Sequence, residues 1–210
     1  MLNKNKELAA YLINERACDV KIVDVIGKLD RSIFLPEENV QFEKSIKPIP
    51  IGFGQTMSAP FIVASMTELL ELSGDEKVLE IGSGCGYQTA VLLGMGVDVY
   101  SIEYIPELAD FGRKNLEKMG LSPNMKCADG YFGWPEEAPF DRIIIAATAS
   151  RVPVTLVEQL KIGGKMVFPL KKGDREFMVR LTKNTPFDYD LEWLYGVIFV
   201  PFVGAINHKI

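Results

Sequence analysis

Val78-Leu79-Glu80-Ile81-Gly82-Ser83-Gly84-Cys85-Gly86-Tyr87 is the stretch on which the fold turns. An apolar run carrying one acid reads as a buried parallel strand. Glycines spaced two apart follow directly. They let the backbone turn sharply and approach a ligand that a Cβ would block. The residues beyond, 88–94, read as the opening of a helix. Strand, glycine turn and helix in that order describe a loop for a nucleoside cofactor. The spacing narrows the choice, because the dinucleotide fingerprint needs its third glycine one place later, where this chain has Tyr87. A plain structural turn closing a βα unit stays open as an alternative.

Outward from this loop, strands and helices alternate. Strands are predicted at 77–81, 98–103, 124–128, 142–147 and 165–170, and helices at 87–93, 106–118 and 153–160. Gly163-Gly164 reads as a tight turn into the fifth strand. Such alternation predicts an α/β fold with a doubly wound, mostly parallel sheet covered on both faces. The tail differs: 175–181 and 194–200 are strand-like with no helix between them, which predicts a closing antiparallel strand pair. Before the loop, 6–15 presents Leu8, Ala9, Leu12 and Ile13 on one helical face. A second helix at 19–29 presents Val20, Val23, Ile26 and Leu29. Residues 31–53 hold Pro36, Pro48 and Pro50 with no period, and are expected to wrap the domain irregularly. A helix over 58–72 follows, with Ile62, Met66, Leu69 and Leu70 inward, Ser58 as N-cap type and Pro60 in the first turn. The expectation is one domain over 1–210, with helices and a wrapping segment in 1–72 and the nucleoside-binding core in 73–210.

Composition excludes several classes. The chain has 210 residues, 48% hydrophobic and 24% charged, as a globular domain does. A net charge of −5 argues against a general nucleic-acid or membrane-surface binder. Three cysteines, Cys18, Cys85 and Cys127, show no C-x-x-C and suggest no disulfide framework. The one histidine, His208, argues against a zinc site and against a histidine-driven nucleophile. Residues 1–16 carry charges throughout, unlike a signal peptide. No stretch approaches the roughly 20 apolar residues of a membrane span. A cytoplasmic protein is the expectation.

Ligands of open α/β sheets bind beyond the carboxyl ends of the strands. Glu103 closes the second strand about 20 residues past the loop, where a carboxylate can grip ribose hydroxyls. The alternative is a solvated acid at a strand end. Ala128-Asp129-Gly130 ends the third strand, and Asp129 could accept from an adenine amino group, or the pair could be a simple turn. Thr56 and Ser58 precede a helix, whose N-terminal N–H groups suit an anion. With the Ala59 amide they could hold a carboxylate, or Ser58 could simply cap the helix.

The glycine loop with its preceding Glu80 resembles the S-adenosylmethionine loop of class I methyltransferases, which are Rossmann-like. The run Ile51-Gly-Phe-Gly-Gln-Thr-Met-Ser-Ala-Pro60 resembles the substrate-site signature of protein-L-isoaspartate O-methyltransferases. Met66-Thr-Glu-Leu-Leu-Glu-Leu72, Ala138-Pro-Phe-Asp-Arg-Ile-Ile-Ile145, Leu156-Val-Glu-Gln-Leu-Lys-Ile-Gly-Gly164 and Phe199-Val-Pro-Phe-Val-Gly204 are similar to the same family in order. The resemblance implies methyl transfer from S-adenosylmethionine to the α-carboxyl of isoaspartyl residues in damaged proteins, with S-adenosylhomocysteine as product and no metal. The expected state is a monomer, with no nucleic-acid or membrane partner, as the net charge suggests. The resemblance also implies that Ser58 is catalytic, and that Thr56, Met57, Ser58 and Ala59 hold the substrate carboxylate beside a groove wall carrying Val200 and Val203. It implies a cofactor site of Glu80, Gly82, Ser83, Gly84, Cys85, Gly86, Glu103, Tyr104, Asp129 and Gly130. The chain departs from the family pattern at Lys44, Ile46 and Lys47, where an aromatic and an acid are usual, and only approximates it at Ala146-Ala-Thr-Ala-Ser150. The competing readings are a related methyltransferase with another substrate, a non-catalytic nucleoside-binding module, and, more remotely, a nicotinamide oxidoreductase.

Overall fold

The computed structural model describes residues 6–14 and 19–207; the expectations drawn on Cys18, on His208 and on residues 1–5 and 15–16 lie outside them. Seven strands form one sheet: β3 (Lys77–Ile81), β4 (Asp98–Glu103), β5 (Asn124–Cys127), β6 (Phe140–Ile145), β7 (Leu160–Lys172), β8 (Arg175–Thr185) and β9 (Asp188–Val197). β1 (Ile49–Gly52) and β2 (Gln55–Met57) make a separate hairpin. The order across the large sheet is β5-β4-β3-β6-β7-β8-β9. The first five strands run parallel, and β8 and β9 add antiparallel at one end. This is the doubly wound, mostly parallel sheet with a closing antiparallel pair that the alternation predicts. Strands buried on both faces explain the unbroken apolar run Ile143-Ile144-Ile145, each fully buried.

The fifth parallel strand, β7, begins five residues earlier than expected. Gly163, at φ 79°, and Gly164 lie inside it as an irregularity in the β6–β7 register, not as a turn before it. β8 and β9 are likewise longer than the apolar pattern predicted.

Helices α1 (Lys6–Asn14), α2 (Val20–Lys28), α3 (Pro60–Leu69), α4 (Tyr87–Gly94), α5 (Pro106–Lys118) and α6 (Val154–Glu158) cover the sheet. Asp19 caps α2 by accepting from the Lys21 amide at 2.7 Å. Of the expected inward residues Val23, Ile26 and Leu29 are buried, with Ile22 beside them, whereas Val20 at the first helical position is 75% exposed. Ile13 of α1 also faces outward. α3 is shorter than expected. It stops where Glu71 takes φ 52°, and its last carbonyl groups accept from Arg142, whose Nε reaches the Leu70 oxygen at 2.5 Å.

The wrapping segment is more ordered than its lack of period suggested. Two 3-10 turns, Arg31–Phe34 and Glu37–Phe42, lead into β1. Arg31 is fully buried, and its Nη1 donates to the carbonyls of Glu43 and Ser45 at 2.6 and 2.7 Å. Its guanidinium lies over the Tyr87 ring, 5.6 Å from the centroid. The segment is thus fastened to the first residue of α4, and it is backbone carbonyls, not the divergent side chains Lys44, Ile46 and Lys47, that take the fastening. No helix among the described residues is long and apolar enough to cross a membrane.

Candidate active site

The strand order reverses at β3, whose neighbours are β4 on one side and β6 on the other. Beyond the carboxyl ends of these strands lies a cleft of about 850 Å³, measured out to its open mouth. The glycine loop forms its floor. Gly82, Gly84 and Gly86 all have positive φ, at 89°, 52° and 87°. Residues with a Cβ rarely adopt that conformation, so the spacing of two is a backbone requirement. Gly86 is also the N-cap residue of α4. The loop is anchored by the Gly82 amide, which donates to the Ile102 carbonyl of β4 at 2.7 Å. It is backed by α5, where Asn115 Nδ2 donates to the Cys85 carbonyl at 3.2 Å.

Glu103 stands at the end of β4 and lines the cleft while only 7% exposed. One oxygen accepts from the Gly84 amide at 2.8 Å, and the other from the amides of Tyr104 and Ile105 at 2.9 and 3.0 Å. A carboxylate has about four lone-pair sites. Three are used, so the site left over, on the oxygen bound to Gly84, is what a sugar hydroxyl could use. The expected grip on both ribose hydroxyls therefore needs one of these amide bonds to be shared. Ser83 presents a buried hydroxyl that has no partner among the described residues and lines the same cleft. Cys85 lines it too, and burial pushes its thiol up to about 12. Apolar surface comes from Ile102, Ile105, Leu108 and Phe202.

Three expected cofactor residues stand off the cleft: Gly86 at the head of α4, Glu80 and Asp129. Glu80 is fully buried behind the loop, one oxygen accepting from Thr89 Oγ1 at 2.6 Å and Ser101 Oγ at 2.8 Å. Burial pushes its carboxyl up to about 7 against the pull of those two hydroxyls. It ties β3 to α4 and β4. Asp129 does not line the cleft either. One of its oxygens accepts from the Tyr131 amide at 2.9 Å and the other from the Ala205 amide at 2.8 Å. Its neighbour Gly130 does line the cleft, at a point where a Cβ would collide with Ile81.

The opposite wall is the β1–β2 hairpin. Ile49, Ile51 and Met57 face inward and their neighbours outward, as strand alternation requires. Phe53 and Gly54 form its tip with φ of 53° and 70°. Positive φ at both central positions is the turn a two-residue hairpin demands. The hairpin packs on the glycine loop so closely that a Cβ on Gly84 would stand 3.1 Å from Ile51 Cδ1. Thr56, Met57 and Ser58 line the cleft. Ser58 does not cap α3, contrary to the plain reading of its position. Ala59 is the N-cap residue, no side chain caps the helix, and the Ser58 hydroxyl has no hydrogen-bond partner among the described residues. Ala59 itself stands off the lining. Val200 and Val203 complete the wall with Pro201 and Phe202.

The cleft thus gathers Thr56, Met57, Ser58, Gly82, Ser83, Gly84, Cys85, Glu103, Tyr104, Gly130, Val200 and Val203, and leaves Ala59, Glu80, Gly86 and Asp129 behind or beside it. Sequence reasoning missed Gly112 and Asn115 of α5, which support the loop from behind. A Cβ at Gly112 would stand 2.7 Å from the Gly84 carbonyl oxygen. A glycine inside a strongly helical pattern was the available signal. Gln88 was missed as well; it lines the cleft and its Nε2 donates to Thr67 Oγ1 at 3.0 Å.

A family model described as protein-L-isoaspartate(D-aspartate) O-methyltransferase matches residues 3–207. The chain is 44% identical over 207 residues to a protein-L-isoaspartate O-methyltransferase of Dictyoglomus turgidum, covering 98% of this chain and 94% of that one. It is 42% identical over 200 residues to the Myxococcus xanthus protein of the same description, covering 93% and 94%. A solved protein-L-isoaspartate O-methyltransferase superposes with a TM-score of 0.88 at 26% identity, covering 96% of this chain and 67% of that one.

Proposed function

The chain belongs to the protein-L-isoaspartate O-methyltransferase family, and from that premise we propose that it transfers the methyl group of S-adenosylmethionine to the α-carboxyl of L-isoaspartyl residues in damaged proteins. The resulting ester leads back through a succinimide to aspartate. One observation carries this reading: the Thr56-Met57-Ser58 turn and the Gly82–Cys85 loop share a single cleft. The residues suit the nucleoside on three counts. Positive φ at Gly82 and Gly84 gives the loop a turn along the cleft that other residues rarely adopt, Ser83 offers a buried hydroxyl with no partner among the described residues, and Glu103 keeps an acceptor site.

When bound, S-adenosylmethionine supplies a methyl already activated on a sulfonium. The accepting carboxylate, with a reference pKa near 4, is ionised at neutral pH, so no residue has to remove a proton. The protein's work is desolvation and aim, and such positioning contributes roughly 7–11 kcal/mol in favourable cases. In this reading Ser58 is the catalytic residue, its hydroxyl donating to the substrate carboxylate with Thr56 and the amides of Met57 and Ala59 beside it. A hydroxyl orients the carboxylate without a formal charge; an arginine there would hold it more tightly and lower its nucleophilicity. Val200 and Val203 face the peptide. Gly82, Ser83, Gly84, Cys85 and Gly86 shape the donor's seat, Glu103 takes the ribose, and Tyr104 and Gly130 bound the base. Glu80 keeps the loop's supports together. The 1–72 segment then serves the peptide and the 73–210 core the donor, within one domain. We further propose a cytoplasmic monomer that binds neither nucleic acid nor membrane, in keeping with the net charge of −5.

The test is labelled S-adenosylmethionine with a matched pair of peptides, one isoaspartyl and one aspartyl. Label on the isoaspartyl peptide alone is expected. Label on neither, with S-adenosylhomocysteine still bound, would overturn the substrate and favour a related methyltransferase acting elsewhere.

A further inference from the structure

The segment from Ile198 to Ala205 supplies the wall of the cleft that carries Val200, Pro201, Phe202 and Val203. Its middle is threaded against Thr148, in the segment that follows β6. The Thr148 amide donates to the Val200 carbonyl at 2.8 Å, and the Phe202 amide donates to the Thr148 carbonyl at 2.9 Å. Each end is held by a carboxylate from elsewhere in the fold. At one end Glu176 of β8 accepts, with a single oxygen, from the Phe199 amide at 2.9 Å and from Thr148 Oγ1 at 2.7 Å. At the other, Asp129 accepts from the Ala205 amide with one oxygen and from the Tyr131 amide with the other. Gly204, at φ 100°, passes so close to Asp129 that a Cβ there would collide with the carboxylate. Neither carboxylate lines the cleft, and Asp129 adjoins Gly130, which does.

We propose that Asp129 and Glu176 are positioning residues that latch the two ends of this strap, so that the peptide-facing wall is preformed and registered against the turn carrying Gly130. The inference rests on the functional reading above for the identity of the peptide, though not for the latch itself. The strap's many fastenings make it a fixed wall rather than a lid. The chemistry of the two latches differs in a way that can be tested. Glu176 uses one oxygen, which the carbonyl of glutamine reproduces. Asp129 uses both oxygens as acceptors, and the amide group of asparagine would set a donor against a backbone N–H.

The experiment compares D129A, D129N, E176A and E176Q in the full chain. It measures hydrogen exchange of amides 199–205, the KM and kcat for an isoaspartyl peptide, and the Kd for S-adenosylhomocysteine. Expected are tenfold or faster exchange and a raised KM in D129A, D129N and E176A, rescue to within twofold in E176Q, and a Kd within twofold of the parent throughout. If D129A loosens S-adenosylhomocysteine tenfold and leaves KM alone, Asp129 contacts the nucleoside instead and the latch is wrong. Unchanged exchange in D129A and E176A would also overturn it. Should the Asp129 variants not fold, the contrast between E176A and E176Q decides. Exchange requires no substrate, so failure of the parent protein to methylate the peptide would sink the functional reading and leave the latch to be judged separately.

Discussion

Gly112→Ala would test whether the glycine loop depends on the helix behind it. Gly112 lies inside α5, where alanine is better than glycine by about 1 kcal/mol on helix propensity. Its added Cβ, however, would stand 2.7 Å from the Gly84 carbonyl oxygen and 3.3 Å from both Cys85 C and Gly86 N. All three are backbone atoms, so no side-chain rotation relieves the contact. Overpacking of this kind costs about 1–3 kcal/mol, which offsets or exceeds the propensity gain. The unliganded variant should lose about 0–2 kcal/mol, a melting temperature lower by no more than roughly 8 °C for a chain of this size. The loop has to retreat by several tenths of an ångström, and each 1.4 kcal/mol of distortion that the ligand must undo weakens binding about tenfold. Calorimetric titration with S-adenosylhomocysteine should therefore show Kd raised by roughly tenfold, alongside thermal unfolding with and without ligand. A variant with a higher melting temperature and an unaltered Kd would refute the reasoning, because it would mean α5 and the loop are free to part.

Other outcomes follow from the same geometry. Ser58→Ala should lower kcat/KM for an isoaspartyl peptide by roughly 10- to 150-fold, the worth of a hydrogen bond to a charged group at about 1.5–3 kcal/mol, with the Kd for S-adenosylhomocysteine within twofold; equal losses in both would assign Ser58 a structural role. Glu76 is subject to burial, which alone raises its carboxyl, yet the amides of Gly74 and Ser73 at 2.9 and 2.7 Å bring it down to about 2. Its folded value lies below the ordinary 4.5, so its stabilisation is complete above that pH and is lost as pH falls toward 2. Urea unfolding of Glu76→Gln should show a deficit of up to about 3 kcal/mol at pH 7 that vanishes near pH 2, and a pH-independent deficit would contradict this. Burial protects Cys85, whereas Cys127 is exposed. Iodoacetamide at pH 8 should mark Cys127 and spare Cys85 by peptide mass mapping; comparable rates would mean that the loop opens readily.

Much of the core was legible because the parallel strands are short, apolar and bounded by turn residues. The bounds of β3, β4 and α5 coincide with those read from the sequence. The hairpin was not legible, since Pro48 and Pro50 break any pattern and its register is set by the turn at Phe53-Gly54. The inward face of α2 was read correctly at Val23, Ile26 and Leu29 and missed only at Val20, the first residue after the cap Asp19, which lies beyond the reach of the core. At the site, motifs predicted which segments meet, and the structure brings those segments together. What motifs could not convey was which way each acid points. Glu103, Glu80 and Asp129 all end or approach the ends of strands, yet one lines the cleft, one is sealed behind it and one holds a strap. That distinction arises from partners far away in the chain, such as Ser101 and Ala205, that no local pattern reveals.

β9 is the outermost strand on its side of the sheet, and Asp188, Asp190 and Glu192 stand exposed at alternate positions along it. A bare strand margin invites other chains to join the sheet, and unfolded polypeptides do so most readily. If the molecules this protein serves are worn and loosened ones, it works among strands seeking a partner. Charged side chains along the margin, Asp188 and Asp190 beside Glu192 in its ion pair with Arg180, discourage adhesion there, leaving engagement with such clients to the cleft.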